Sequence, residues 1–206
     1  MTRHLRRHLA VSLLATLGSF ARPAAAQTVA TPAPSTRWAM FITTGSMMPV
    51  GGLQDALRSA PLTAAQFAWL ARPRVAVVGT LGWARSRDLL AVAAPKVDVV
   101  TADVGAEFRS DLRALSERTG ISGFTGAGLG IRRYDSRAVN TDALHHETAY
   151  ATVGGDLRVR RVGLRLEVRE YVGSFTPVAG TGARTLANDV VVMTTLHFYR
   201  RPFGGR

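Results

Sequence analysis

The chain has no cysteine, only one lysine (Lys96), and no long apolar run after its N-terminal segment. The absence of cysteine excludes a disulfide framework and any thiolate site. No later stretch approaches the roughly 18 consecutive apolar residues that a membrane-spanning helix requires. A membrane location would therefore require a closed barrel, because only helices and barrels satisfy all their backbone groups in lipid.

The N-terminal segment has the parts of a secretory signal peptide. An arginine-rich start is followed by an apolar core over residues 9–20 and by three alanines before Gln27. The apolar core is too short to span a bilayer as a helix, which argues against a retained anchor. We predict a signal peptide over residues 1–26, a flexible lead over 27–36 and one folded domain over 37–206.

The basic charge balance concerns the partners of the exported chain. The formal net charge is +12, and loss of the four signal-segment arginines lowers it to +8. A basic chain can bind nucleic acid, but export to the envelope argues against that partner. Anionic lipid or lipopolysaccharide phosphate is the more natural partner.

Short segments of alternating apolar and polar residues run from about Trp38 to Arg200. In the clearest segment, 162–169, every even position is apolar and every odd position is charged or glycine. Two such different faces are typical of a strand. Eight strands are predicted, at about 38–48, 63–71, 74–86, 97–109, 122–134, 147–158, 162–173 and 189–200.

The connections between these segments alternate in length. The turns at 72–73 and 160–161 are short, and the long connections are those at about 49–62, 87–96, 135–146 and 174–188. Long outer loops and short periplasmic turns are typical of outer-membrane barrels. The long connection at 110–121 departs from this pattern, and helical turns are predicted near 53–58 and 112–117. The predicted fold class is all-β, an eight-stranded antiparallel up-and-down transmembrane β-barrel.

The alternation also assigns faces to the strands. The lipid face is predicted to carry Val75, Val77, Leu81, Trp83, Val100, Ala102, Val104, Ala106, Phe108, Thr125, Ala127, Leu129, Ile131, Ala149, Ala151, Val153, Leu157, Val162, Leu164, Leu166, Val168, Val190, Val192, Leu196 and Phe198. The lumen face is predicted to carry Thr101, Asp103, Glu107, Thr148, Tyr150, Thr152, Asp156, Arg165, Glu167, Arg169, Thr195, His197 and Tyr199. Aromatic residues near strand ends, such as Trp38 and Phe198, stand where aromatic girdles belong.

Four segments carry a resemblance to a known family: the opening Trp38, Gly45, Pro49, Gly51 and Gly52, then GTLGW at 79–83, GAGLG at 126–130 and LRLEVR at 164–169. In these features the mature chain resembles the small outer-membrane β-barrel family, whose type example is the N-terminal barrel of outer-membrane protein A. The resemblance implies an outer-membrane location and a last strand that ends on an aromatic read by the insertion machinery. Leu196 and Phe198 fit that end, although the chain continues to Arg206.

Charged residues on the lumen face form the candidate site: Asp103, Glu107, Asp156, Arg165, Glu167 and Arg169. An eight-stranded barrel is only wide enough to be filled by its own side chains. Buried charges must be paired, and the arginine fork suits pairing with carboxylates. We therefore predict a structural salt-bridge network, with a path for ions or protons as the alternative. Small glycines at 126, 128 and 130 are expected to make room for the long arginines.

A catalytic reading rests on His145, His146 and Glu147, where the third long loop meets a strand, with Ser136, Ser174 and Glu170 as partners. Outer-membrane barrels can be lipid hydrolases with a Ser/His/acid set at the outer rim. No serine lies in a nucleophile motif, however, and adjacent histidines point to opposite faces of a strand. We predict no catalytic residue, no metal site and no cofactor.

Charge is predicted to differ between the parts of the barrel. The outer loops balance, with Arg58, Arg85, Arg87, Lys96, Arg132, Arg133, Arg137 and Arg184 against Asp55, Asp88, Asp98, Asp135, Asp142, Glu147, Glu170 and Asp189. The periplasmic rim has a net charge of +10, with Arg37, Arg72, Arg74, Arg109, Arg113, Arg118, Arg158, Arg160, Arg161, Arg200, Arg201 and Arg206 against Asp111 and Glu117. The predicted partners of this rim are anionic inner-leaflet headgroups.

These observations predict a non-enzymatic, monomeric outer-membrane β-barrel protein with a closed or nearly closed lumen. Its role is expected to be structural, or to be adhesion or interaction with an extracellular ligand through the outer loops. Two alternatives stay open, an outer-rim lipid-modifying enzyme and a soluble periplasmic barrel that binds a small apolar ligand.

Overall fold

The computed structural model describes residues 38–136, 144–175 and 185–198. The predicted signal peptide, the flexible lead and the chain beyond Phe198 lie outside these residues. The described strands are β1 (Trp38–Val50), β2 (Ala60–Arg72), β3 (Val75–Arg87), β4 (Lys96–Arg109), β5 (Arg113–Ser116), β6 (Thr119–Ser136), β7 (Leu144–Val159), β8 (Val162–Phe175) and β9 (Thr185–Phe198).

Eight long strands form a closed antiparallel barrel, and the short β5 lies beside it in the same sheet. Each long strand pairs with the next along the chain, β4 pairs directly with β6, and β1 pairs with β9 to close the barrel. The predicted eight-stranded up-and-down barrel is confirmed. The observed strand ends lie within four residues of the predicted ones.

The connection between β4 and β6 differs from its prediction. A helical turn was expected near 112–117, but residues 113–116 form β5, which pairs with the start of β6. A single helical turn fixes several dihedrals for one hydrogen bond, whereas the free edge of β6 offers several unpaired backbone groups. In the first long loop, the helical turn predicted at 53–58 is a 3-10 helix at Gly51–Asp55. Among the described residues, no helix is long and apolar enough to cross a membrane.

The two faces of the barrel wall differ as the alternation predicted. Apolar side chains on the predicted lipid face are exposed, for example Leu81 at 64%, Phe108 at 62% and Leu129 at 68%. Lumen-face side chains such as Glu167 and Arg169 are buried. Three predicted lipid-face residues, Val75, Leu164 and Val190, are half-buried, and Tyr199 lies outside the described residues.

Glycines on the inner wall allow large rings to lie across the lumen. A Cβ at Gly128 would lie 2.5 Å from the Tyr150 ring, and one at Gly154 would overlap Phe124. The glycines of β6 were expected to make room for arginines. The space beside Gly128 is instead taken by Tyr150, which itself lies under the Arg169 guanidinium at 4.6 Å from the ring centre.

Candidate functional site

Arg169 lies at the centre of the lumen and is fully buried. Its Nη1 donates hydrogen bonds to Asp103 Oδ1 at 2.9 Å and to Thr80 Oγ1 at 3.0 Å, and its Nε donates to Glu167 Oε1. Asp103 also accepts a hydrogen bond from Tyr171 Oη at 2.7 Å. The guanidinium therefore links β3, β4 and β8 through two carboxylates and a hydroxyl.

Arg165 forms a second level of the same network, four residues nearer the short-turn end of β8. Its Nη2 donates to Glu107 Oε1 at 2.5 Å, and its Nη1 donates to Asp156 Oδ2 at 3.4 Å. Its guanidinium carbon lies 3.6 Å from the centre of the Phe124 ring. Half-buried Arg109 donates to Glu107 from the rim, with Nη2 at 2.9 Å. The network therefore continues to the edge of the barrel.

Glu167 joins the two levels. It accepts hydrogen bonds from Arg165 Nε at 3.3 Å and from Arg169 Nε. Gln66 Nε2 donates to it at 3.2 Å, and Thr152 Oγ1 donates at 3.1 Å. Because a buried carboxylate is costly unless its lone pairs are satisfied, these four donors explain how Glu167 is accommodated. We call this connected set of Asp103, Glu107, Asp156, Arg165, Glu167 and Arg169 the ionic half of the lumen.

The positions of Arg132 and Asp189 correct the charges that were assigned to the outer loops from the sequence. Both were assigned to the outer loops, but both are buried in the lumen, where Arg132 Nη1 donates to Asp189 Oδ2. Arg132 also lies over the Tyr171 ring, 4.1 Å from its centre. Arg133 follows it on the exterior face, because adjacent strand residues point to opposite sides. Since the pair is neutral, it changes neither the outer-loop balance nor the lumen charge of −2 that the two arginines and four carboxylates of the candidate site give.

The long-loop end of the lumen is filled by apolar side chains. We call five of them the apolar half of the lumen: Met47, Leu53, Leu57, Val97 and Val99. Leu53 and Leu57 come from the first long loop and fold into the barrel mouth, where the Leu57 amide donates to the Leu53 carbonyl at 2.9 Å. The lumen also contains a void of about 10 Å³, lined in part by Thr101, Arg132 and Met193. A void of that size holds about one water molecule.

All six candidate residues predicted from sequence therefore lie in one connected group. Sequence reasoning missed Gln66, Tyr171 and the Arg132–Asp189 pair, which the structure places with them. Gln66 could have been found, because it is the single polar residue within the apolar segment 64–70 and lies on the inward phase of β2. The network's structural role stays a prediction.

The residues considered for catalysis are divided between the two faces of the barrel wall. His146 points into the lumen and His145 points outward. Ser136 shares the inward face, but it lies four residues beyond Arg132, the register partner of His146, which is about 13 Å along the strand. Glu147, Glu170 and Ser174 lie on the opposite, outward phase of their strands. Ser174 follows Gly173, the register partner of Thr148, and so lies beside Glu147, but its hydroxyl forms no hydrogen bond within the described part of the chain. Among the described residues, no group of three acidic or histidine side chains could hold a metal ion.

The short-turn end is basic, as predicted. Eight of the twelve rim arginines are described, namely Arg72, Arg74, Arg109, Arg113, Arg118, Arg158, Arg160 and Arg161, against Asp111 and Glu117. Among these, Arg74 pairs with Asp111 and Arg109 pairs with Glu107. Arg113, Arg118, Arg160 and Arg161 are exposed. The short-turn end therefore exposes a cluster of cationic side chains.

Comparisons with known proteins bear on the fold alone. No family model matches the chain, and no curated protein matches it. Among solved structures, neisserial surface protein A is 9% identical, with a TM-score of 0.55, over 79% of this chain and 98% of that one. The attachment invasion locus protein Ail of Yersinia pestis is 10% identical over 76% of this chain and 97% of that one, with a TM-score of 0.37. The fold comparison relies on the neisserial protein, and it confirms that the chain has the fold of the small outer-membrane β-barrels.

Proposed function

We propose that the protein is a non-enzymatic β-barrel of the outer membrane, with a closed lumen and a structural or interaction role. The observation that carries this proposal is the distribution of charge across the barrel wall. Buried ions lie inside and large apolar side chains lie outside, including Met40, Ile42 and Leu129 with exposures of 69%, 79% and 68%. Lipid around the barrel makes that arrangement favourable, whereas water would make it costly.

The packing of the lumen supports a barrel that does not conduct. Arg165 and Arg169 cross the lumen at two levels, each bound by carboxylates from other strands. At the long-loop end, Leu53 and Leu57 are buried with their neighbours from β1 and β4. A network in which every charge has a partner gives an ion no free counter-charge to bind.

The long-loop end supports the interaction role. In the loop between β3 and β4, Leu89, Leu90 and Val92 are exposed at 46%, 54% and 109%. This loop is tied to the first long loop, because the Leu89 amide donates to the Ala56 carbonyl at 2.8 Å. An apolar tip on an ordered pair of loops is suited to contact with an extracellular ligand.

The basic short-turn end is suited to contact with anionic inner-leaflet headgroups. We also propose that the protein is a monomer.

The two alternatives have less support. An outer-rim enzyme would need Ser136 or Ser174 beside a histidine and an acid. Ser136 lies on the opposite face from Glu147 and Glu170, and the Ser174 hydroxyl forms no hydrogen bond with any residue that the structure describes. A soluble barrel with an apolar ligand would need an apolar cavity and a polar exterior. The described interior instead contains charged residues and a void of only about 10 Å³.

Fractionation of cells that express the full chain tests the location. The protein is expected in the outer-membrane fraction, resistant to carbonate extraction, and it should migrate faster on gels before heating than after. Recovery of the folded protein as a soluble periplasmic monomer would contradict the proposal.

A paired substitution on β8 tests which face meets lipid. Leu166→Arg puts a cation on the exterior, where arginine near the bilayer midplane costs roughly 2–4 kcal/mol. Glu167→Gln, one residue further, changes the lumen and meets no lipid penalty. In urea titrations of the protein folded into bilayers, Leu166→Arg is expected to lower the free energy of unfolding by that amount. An unchanged stability for Leu166→Arg would mean that the exterior meets water.

A further inference from the structure

A groove on the barrel exterior lies at the long-loop end of β2, β3 and β4. Its volume is about 450 Å³, and it is lined by Pro61, Thr63, Trp83, Arg85, Ser86, Arg87 and Lys96. Thr63 faces Trp83 across one strand pair, and Arg87 faces Lys96 across the next. The groove therefore has an apolar and aromatic lower part and a cationic upper part.

The cations of this groove lack sufficient counter-charge. Arg85 Nε donates to Asp98 Oδ1 at 2.8 Å, and its guanidinium lies over the Trp83 ring. Arg87 and Lys96 are direct cross-strand partners, and like charges in that position repel. In the part of the chain that the structure describes, neither Arg87 nor Lys96 forms an ion pair. The exposed Arg87–Lys96 pair is thus placed to bind an external anion.

The position of the groove selects the kind of anion. Arg87 and Lys96 continue the same outward face that carries Leu81 and Trp83 toward the membrane. An anion held there would have its apolar part against Trp83 and the exposed wall below it. A soluble anion would use the cations alone, whereas a phosphorylated lipid would use both parts of the groove.

We propose that this groove binds the phosphorylated headgroup of an outer-leaflet glycolipid of the lipid A class. Arg87 and Lys96 contact the phosphate, Arg85 supports it from the side, and Trp83 packs against the sugar and the upper acyl chain. The proposal rests on the proposed outer-membrane location, which places the long loops outside. It assigns to the outer rim a lipid site separate from the basic short-turn end.

Binding of purified lipid A to the folded full chain in detergent micelles tests this site. Bisphosphorylated lipid A, the same lipid without phosphates, and inorganic phosphate are titrated and followed by thermophoresis. The double variant Arg87→Gln/Lys96→Gln is expected to bind bisphosphorylated lipid A about 25-fold more weakly, about fivefold for each charge. Arg87→Lys keeps the charge and should stay within about threefold of the parent.

The matched control is Arg113→Gln/Arg118→Gln, which removes two exposed charges from the opposite end of the barrel. It should leave the affinity within about twofold. Equal binding of lipid A without phosphates, equal loss in the control, or inorganic phosphate binding as tightly as lipid A would each overturn the proposal. Gel migration before and after heating reports the folded barrel separately, so a lost site and a failed barrel are distinguishable.

Discussion

The two halves of the lumen are closed by different chemistry. In the ionic half, Arg165 and Arg169 are held between carboxylates from β4, β7 and β8. In the apolar half, Met47, Leu57 and Val97 fill the barrel as part of one apolar cluster. The ionic half depends on pairing, because each ion is costly to bury alone. The apolar half depends on volume, because its stability comes from the removal of apolar surface from water.

The difference between the two halves predicts how substitutions in each should affect the stability of the barrel. Removal of one ion leaves its partners buried and unpaired, so the effect spreads along the network. Removal of an apolar side chain leaves a cavity, and its effect stays local. The ionic half should therefore respond more strongly, and changes within it should be less additive than changes in the apolar half.

The largest effect is expected for Arg169→Met, which removes the central charge and roughly keeps the volume. Glu167 and Asp103 both lose a cation, so the free energy of unfolding should fall by about 3–5 kcal/mol. Equilibrium unfolding in urea, with the protein refolded into lipid vesicles, measures this change. A loss below about 1 kcal/mol would show that the network contributes little.

A double-mutant cycle sharpens the same point. Glu167→Gln keeps the shape, and it leaves Arg165 paired with Glu107 and Asp156 and leaves Arg169 paired with Asp103. Combined with Arg169→Met, it should cost at least about 1 kcal/mol less than the sum of the two single changes. Strict additivity would mean that the two residues are not coupled.

A smaller effect is expected in the apolar half. Leu57→Ala should lower the free energy of unfolding by about 2–3 kcal/mol, because it leaves a cavity at a fully buried position. Leu89→Ala in the neighbouring loop is the matched control, since that side chain is 46% exposed. It should change stability by less than about 0.5 kcal/mol. Equal losses for the two variants would contradict the packing of Leu57 into the barrel mouth.

The contrast between the halves also explains what the sequence could predict. Over 164–169 the lumen face is charged and the lipid face is apolar, so period-2 alternation separates them clearly. At 97–100 valines occupy three of four positions, and apolar residues therefore occur on both faces. Alternation therefore does not distinguish the lumen face from the lipid face there, and the apolar half was not predicted from the sequence. The inward fold of Leu53 and Leu57 belongs to a loop, where no period applies.

Two errors at strand ends have a related cause. Arg132 and Arg133 lie at the end of the predicted strand 122–134, yet both were counted with the outer loops. The structure extends β6 to Ser136, and the two arginines separate to opposite faces. Similarly, β9 begins at Thr185, which brings Asp189 into the lumen beside Arg132. Strand boundaries are poorly marked by composition, because polar residues occur both in loops and on lumen faces.

The closed lumen is the central claim, and the conductance of the unmodified protein in planar bilayers tests it most directly. With Arg165 and Arg169 paired across the ionic half and the apolar half packed above them, no continuous water column remains. Reconstituted protein whose folding is verified by gel migration should show no steady current above that of protein-free bilayers. A large, stable conductance would contradict the account and would mean that the lumen charges line a pore.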